Sequence, residues 1–261
     1  MKKKYGQNFL INNDVINTII NESKITNESE ILEIGPGNGA LTKEIINKNP
    51  KKFIAVEIDS DLKKKLENYF NKSNHQLIIN DSIKFNEKEN FTKKFSVISN
   101  LPYNISLALL IKWIYQIDFP IHPKKMVLMF QKEVAERILA TPNTKKYGRI
   151  TLLVSAFYKV KKILDVDKTN FFPIPKVNST ILLFEELSKK QINFNQIKFL
   201  EKISFELFSN RRKQLKKKIQ NLFSETTIQK NSLDIHFPLR AENLSKEIVY
   251  KLTSLLKKEK L

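Results

Sequence analysis

The segment Ile31-Leu32-Glu33-Ile34-Gly35-Pro36-Gly37-Asn38-Gly39-Ala40-Leu41-Thr42 constrains the fold of this chain more than any other. An apolar strand runs into a glycine-rich turn and then into a helical pattern, which is the first βα unit of a nucleotide-binding sheet. Strand-like and helical runs then alternate. Residues 31–34, 53–57, 76–79, 95–99 and 125–130 read as strands, and 158–166 and 179–185 as two more. Before the first of them, Asp14 is placed to cap a helix whose apolar positions Val15, Ile16, Ile19 and Ile20 keep helical spacing. Strands alternating with helices predict an α/β fold with a doubly wound, mostly parallel, Rossmann-like sheet.

In such sheets ligands bind outside the carboxyl ends of the strands. Gly35, Glu57, Asp81 and Asn100 each stand at or just beyond a predicted strand end, so four separate strands should deliver them to one crevice. Gly35, Gly37 and Ala40 satisfy a dinucleotide-type fingerprint, with Glu57 near the spacing expected for an acid that binds ribose hydroxyls. Glu57 suits the ribose of NAD and that of S-adenosylmethionine equally. A hydride-transfer enzyme also needs a group to exchange a proton with its substrate, and what this chain supplies at the fourth strand end is of another kind.

There, Asn100-Leu101-Pro102-Tyr103 closes the apolar run of residues 95–99. The exocyclic amine of adenine is a poor nucleophile because its lone pair is delocalised into the ring. Two acceptors, the Asn100 side-chain oxygen and the Leu101 carbonyl, can each take one N–H, draw the nitrogen toward tetrahedral geometry and aim its lone pair. Pro102 stiffens the turn, and Tyr103 offers a face on which an extruded base can stack. Such a tetrapeptide is also what an ordinary strand-ending turn looks like. Its pairing with the glycine turn favours S-adenosylmethionine over NAD. Further along, the proline-rich stretch Phe171-Phe172-Pro173-Ile174-Pro175-Lys176-Val177 can present Phe171 as a second wall against the base, although a phenylalanine in such a loop more often covers a sheet edge.

Composition narrows the chemistry. Among 261 residues there is no cysteine, which excludes thiol nucleophiles, disulfides and thiolate metal sites, and His75, His122 and His236 lack ligand spacing, so no metal is expected. Met1-Lys2-Lys3-Lys4 is basic, but no apolar stretch follows it as a secretory signal would require, and apolar runs such as 126–130 are strand-length. A cytoplasmic protein is expected, or an organellar one after processing. The net charge of +19 favours a polyanionic partner, the alternative being codon bias in a chain rich in Lys, Asn and Ile. That charge is uneven: residues 187–261 carry 17 basic and 7 acidic residues, and the longer segment 1–186 carries 29 and 20. Beyond a polar linker at 188–191 the pattern is all-helical. Leu215, Ile219 and Leu222 share one face there, and Arg211, Arg212, Lys213, Lys216, Lys217 and Lys218 crowd the rest, six cations without an intervening acid. Such a run is usually a solvated face, but phosphates nearby would relieve the repulsion, which favours RNA contact. A closing helix should turn Ile248, Leu252 and Leu255 inward.

With these residues in view, the chain closely resembles the small-subunit ribosomal RNA adenine dimethyltransferases of the KsgA type. The resemblance spans almost its whole length: Lys4-Tyr5-Gly6-Gln7-Asn8-Phe9-Leu10, the glycine turn with Ala40-Leu41-Thr42, Asn100-Leu101-Pro102-Tyr103-Asn104-Ile105, Gln131-Lys132-Glu133-Val134-Ala135-Glu136-Arg137, Tyr147-Gly148-Arg149, residues 171–177, Arg211-Arg212-Lys213 and Arg240-Ala241-Glu242-Asn243-Leu244. It implies a class I methyltransferase domain over 1–186, with a basic arm folded over the cofactor, and a small helical RNA-binding domain over 187–261. It further implies an S-adenosylmethionine site of Asn8, Leu10, Gly35, Glu57, Asp81 and Asn100, and a catalytic group of Asn100, Leu101, Pro102, Tyr103 and Phe171. RNA contacts would come from Arg211, Arg212, Lys213, Lys216 and Lys217. The implied substrate is two adjacent adenosines in the hairpin near the 3′ end of small-subunit (16S) rRNA, dimethylated by a monomer within an assembling small ribosomal subunit. Two departures stand out: Asn80-Asp81-Ser82 replaces the Gly-Asp-Ala turn common in the family, and Lys216 and Lys217 replace asparagines.

Overall fold

In the computed structural model, residues 7–259 are described; the basic Met1-Lys2-Lys3-Lys4 arm and the Tyr5-Gly6 part of the first motif lie outside them. The strands are β1 (Phe9–Leu10), β2 (Glu30–Ile34), β3 (Lys52–Glu57), β4 (His75–Ile79), β5 (Phe95–Ser99), β6 (Pro123–Gln131), β7 (Tyr158–Val166), β8 (Phe171–Phe172) and β9 (Ser179–Glu186). The helices are α1 (Asn13–Ser23), α2 (Ala40–Asn47), α3 (Lys63–Glu67), α4 (Glu87–Asn90), α5 (Tyr103–Ile114), α6 (Lys132–Leu139), α7 (Arg149–Ser155), α8 (Ile197–Phe208), α9 (Lys216–Leu222), α10 (Glu225–Lys230) and α11 (Lys246–Glu259). Among the described residues no helix is long and apolar enough to cross a membrane.

Seven strands form one sheet in the order β4-β3-β2-β5-β6-β9-β7, and β1 pairs antiparallel with β8 in a separate ribbon. The pairs β2–β3, β3–β4, β2–β5 and β5–β6 are parallel, and β9 runs antiparallel to β6. The chain therefore winds outward from β2 to β4 and returns to place β5 on the other side of β2. The crevice at that reversal lies between the carboxyl ends of β2 and β5, where the glycine turn and Asn100 begin. Every residue of β2 is buried, as expected of a strand covered on both faces. The observed strands extend several of the predicted ones by a residue or two at their amino ends. Backbone pairing admits Glu30, Lys52 and His75 whatever their polarity.

Two local expectations change. Asn12, not Asp14, caps α1: its Oδ1 accepts from the N–H groups of Asp14 at 2.8 Å and Val15 at 3.2 Å, and Asp14 occupies the first turn. On α11 the buried face consists of Val249, Tyr250, Leu252, Thr253 and Leu256. Of the three positions expected there, Leu252 is buried, and Ile248 and Leu255 are half-buried at its margins.

The chain divides into two compact units, 1–135 with 160–186, and 136–159 with 187–261. The first unit closes at residue 186, where the sequence places a boundary, whereas residues 136–159 fall in the second. Hydrogen bonds account for this: the N–H groups of Leu187 and Gln191 donate to the carbonyls of Phe157 and Ala156, each at 2.9 Å. Tyr250 Oη on α11 also bonds the Leu152 carbonyl and Ser155 Oγ, at 2.9 and 2.8 Å.

Candidate active site

Three glycines bend the backbone between β2 and α2 into the left-handed region, with φ of +64° at Gly35, +60° at Gly37 and +84° at Gly39. The turn also allows close packing. A Cβ on Gly37 would lie 2.8 Å from two ring carbons of Phe9, and one on Gly35 would meet Pro102 Cδ at 3.4 Å. The cofactor-type turn and the amine-orienting turn thus pack together at Gly35 and Pro102.

Glu57, at the end of β3, is 3% exposed. Its Oε2 accepts from the Gly37 N–H at 3.1 Å and its Oε1 from the Asp59 N–H at 2.9 Å. Burial raises the Glu57 carboxyl, and these N–H bonds oppose the rise. Beneath the turn, Glu33 is buried and accepts from Thr42 Oγ1 at 2.7 Å; burial pushes its carboxyl up to about 8. Beyond β4, Asp81 turns the chain by accepting from the Ile83 N–H at 2.9 Å.

At the end of β5, Asn100 Nδ2 donates to the Asn8 carbonyl at 3.1 Å. Since an amide side chain donates from one end and accepts at the other, Oδ1 is left for another donor. Tyr103 Oη lies 2.6 Å from Ser179 Oγ on β9, which anchors the tip of the ring, and burial raises its hydroxyl. Asn8, Leu10, Gly35, Glu57, Asp81, Asn100, Leu101, Pro102 and Tyr103 all line one cleft. Two further lining residues, Ile58 and Ile83, are 45% and 38% exposed despite being apolar. Periodicity does not single them out; the available signal is an apolar residue placed one or two positions past a strand-end acid.

Phe171 does not join this group. It is 1% exposed, packed in the core with Leu10, and absent from the cleft lining. The antiparallel register explains why. Leu10 faces Phe171 and Phe9 faces Phe172 across the ribbon, so Phe171 shares the inward face with Leu10, and Phe172, 62% exposed, takes the opposite face.

In the second unit the six predicted cations separate into two groups. Arg212, Lys213, Lys216 and Lys217 are exposed. Arg211 donates to the Tyr147 carbonyl at 2.7 Å and pairs with Glu242 at 3.4 Å. Lys218 is 8% exposed, and its ammonium donates to the carbonyls of Leu207 at 2.6 Å, Ser209, and Asn210 at 3.4 Å, at the carboxyl end of α8. Arg212 and Lys213 line a shallow cleft together with Arg240, a cation outside the charge run, and Asn243.

Comparison with known proteins supplies the family. The family described as ribosomal RNA adenine dimethylase matches residues 1–258. The ribosomal RNA small subunit methyltransferase A of Pelagibacter ubique (strain HTCC1062) is 42% identical over 251 residues, 96% of this chain and 95% of the relative. The protein of the same name from Sulfurihydrogenibium sp. (strain YO3AOP1) is 38% identical over 94% of this chain and 92% of its own. Among solved structures, a dimethyladenosine transferase from Plasmodium falciparum superimposes with a TM-score of 0.81 at 29% identity, covering 97% of this chain and 98% of that one. The 23S rRNA methyltransferase ErmE shares the fold, with a TM-score of 0.74 at 20% identity over 96% of this chain and all of its own. The sheet is that of the Rossmann-like class I methyltransferases, and with sequence agreement running from end to end the chain belongs to the ribosomal RNA adenine dimethylases, a family of enzymes.

Proposed function

We propose that this enzyme, a cytoplasmic monomer, transfers methyl groups from S-adenosylmethionine to the exocyclic amines of two adjacent adenosines in the 3′-terminal hairpin of small-subunit (16S) rRNA, within an assembling small ribosomal subunit. The observation that carries the reading is the Asn100 side chain. Its nitrogen is held by the Asn8 carbonyl, which leaves its oxygen as an acceptor at a cleft that the glycine turn also lines.

The cleft fits the cosubstrate. Backbone N–H groups of Gly37 and Asp59 fix the Glu57 carboxylate from both oxygens, and its remaining acceptor capacity is proposed to take the ribose hydroxyls. Asn8, Leu10, Gly35, Asp81 and Asn100 complete the proposed binding set, with Ile58 and Ile83 as apolar cover for a base. When bound, S-adenosylmethionine supplies an electrophilic methyl group on sulfur, and S-adenosylhomocysteine leaves. Asn100 Oδ1 and the Leu101 carbonyl accept the two N–H bonds of the target amine, and Pro102 keeps that turn rigid against Gly35. Tyr103, its ring anchored by Ser179, provides the stacking wall. The amine becomes acidic as the new bond forms, so its proton passes to solvent and no strong base is required. In the second transfer a single N–H remains to be shared between Asn100 and Leu101. On the RNA side, Arg212, Lys213, Lys216 and Lys217 are the exposed cations proposed to meet phosphate.

Calorimetry with S-adenosylmethionine and with NAD, followed by mass spectrometry of the target hairpin, tests the reading. The protein should bind the first ligand and not the second. Asn100→Ala should keep most of that affinity and lose turnover by roughly a hundred- to thousandfold, the usual cost of one preorganised polar group. Tighter binding of NAD, or near-normal dimethylation by Asn100→Ala, would refute it.

A further inference from the structure

An asparagine at a catalytic position is useful only in one of its two flipped orientations, because its acceptor and donor ends are nearly the same shape. Here the orientation is set by residues 7–10. Asn8 gives its backbone carbonyl to Asn100 Nδ2 at 3.1 Å, across 92 positions of sequence. The residues on either side of Asn8 are each fastened to the first unit. Gln7 Nε2 donates to Asp59 Oδ2 at 3.0 Å. Phe9 packs so closely on Gly37 that a methyl group there would stand 2.8 Å from its ring. Phe9 and Leu10 are also tied in register to Phe172 and Phe171. Asp59 is itself 5% exposed and sits two residues beyond Glu57, whose Oε1 accepts from its N–H. The segment is therefore anchored at both ends, with the carbonyl that selects the Asn100 orientation between the anchors.

We propose that residues 7–10 form a strap that locks the Asn100 amide with its oxygen toward the substrate amine, with Gln7 and Asp59 as the positioning residues that hold the Asn8 carbonyl in place. This rests on the methyl-transfer reading above and adds to it a reason for an amide at position 100. A carboxylate there would accept from the amine at least as well, but at neutral pH it has no hydrogen to give Asn8 and sets two acceptors against each other. Loosening the strap lowers the fraction of time for which Oδ1 faces the amine, and that fraction multiplies the rate of transfer at saturating cofactor.

The test uses the full chain, small ribosomal particles that lack the modification, and single-turnover transfer at saturating S-adenosylmethionine alongside calorimetric measurement of its Kd. Gln7→Ala should slow transfer about five- to tenfold, in keeping with the net worth of one hydrogen bond, while Kd weakens by less than that factor, Asn8 and Leu10 of the strap also lining the cofactor cleft. Gln7→Lys, whose ammonium can still reach Asp59, should recover most of the rate. Asn100→Asp should be nearly as slow as Asn100→Ala, although it keeps an acceptor. Wild-type rates for Gln7→Ala, a loss confined to Kd, or an active Asn100→Asp at neutral pH would each overturn the strap while leaving the methyltransferase reading intact. A wild-type protein that transfers no methyl group would instead remove that reading, and the strap with it.

Discussion

Glu33 sits beneath the glycine turn, where it accepts from Thr42 Oγ1, and burial holds its carboxyl near 8 in the fold against 4.5 ordinarily. The unfolded chain loses that proton at ordinary acidity and the native chain keeps it. Stability linked to Glu33 is therefore fully present below about pH 4.5 and drains away as pH rises toward 8, at a limiting rate of about 1.4 kcal/mol per pH unit. Glu33→Gln keeps an acceptor for Thr42 and has nothing to ionise. Melting curves of the cofactor-free protein should show a smaller decline between about pH 5 and about pH 8 for this variant than for the wild type; parallel declines would mean that the native carboxyl is not held neutral. At this scale the sequence was legible for residues whose chemistry is fixed by their type. Asn100, Glu57, Gly35 and Asp81 line the cleft that the strand ends predicted. It was not legible where a neighbouring residue of the same type could serve. Phe171 and Phe172 are the same amino acid, and only the pairing with Leu10 and Phe9 decides which is buried.

Among the elements, α9 shows how a charge run conceals two roles. Its sequence Lys216-Lys217-Lys218-Ile219 reads as one cationic face, yet Lys218 is buried with Ile219 and caps the carbonyls at the end of α8. Burial lowers the Lys218 ammonium, as expected for a cation paired mainly with neutral carbonyls. Lys218→Met keeps the aliphatic stem and leaves those carbonyls without their donor, which should destabilise the protein by roughly 1–3 kcal/mol. Lys217→Met, on the exposed side, should change stability by no more than about 0.5 kcal/mol. Thermal or urea unfolding measures both, and equal effects would mean that Lys218 is only another surface charge. The strands of the parallel sheet were far easier to read. Burial on both faces makes the interior strands β2 and β3 nearly continuous buried runs in which no choice of face has to be made, whereas the edge strand β4 leaves Gln76 and Ile79 exposed.

For the molecule as a whole, the structure sharpens the distribution of charge. Adding residues 136–159 to the helical tail gives the second unit 22 basic and 8 acidic residues, a net of +14, and leaves the larger first unit with 24 and 19, a net of +5. The second unit is thus the body proposed to bind the polyanion, and its exposed cations are the ones to remove. Arg212→Ala and Lys213→Ala together should weaken RNA binding and reduce the slope of log affinity against log salt by about 0.7–0.9 for each phosphate that is no longer neutralised. Arg211→Ala should act mainly on folding, because its guanidinium holds the Tyr147 carbonyl and Glu242. An unchanged slope in the double variant would assign Arg212 and Lys213 to the solvent. The sequence by itself determined the parallel sheet, the glycine turn that follows its first strand, and the acids and Asn100 at the strand ends. Each of these follows from residue type and short-range spacing along the chain. Tertiary structure alone decided that β5 returns to the far side of β2, that residues 136–159 pack with the helical tail, that Lys218 is interior, that Phe171 is core, and that the Asn8 carbonyl holds the Asn100 amide. Those outcomes depend on residues that meet across as many as 163 positions of chain, as Phe9 and Phe172 do, where neither periodicity nor spacing carries information.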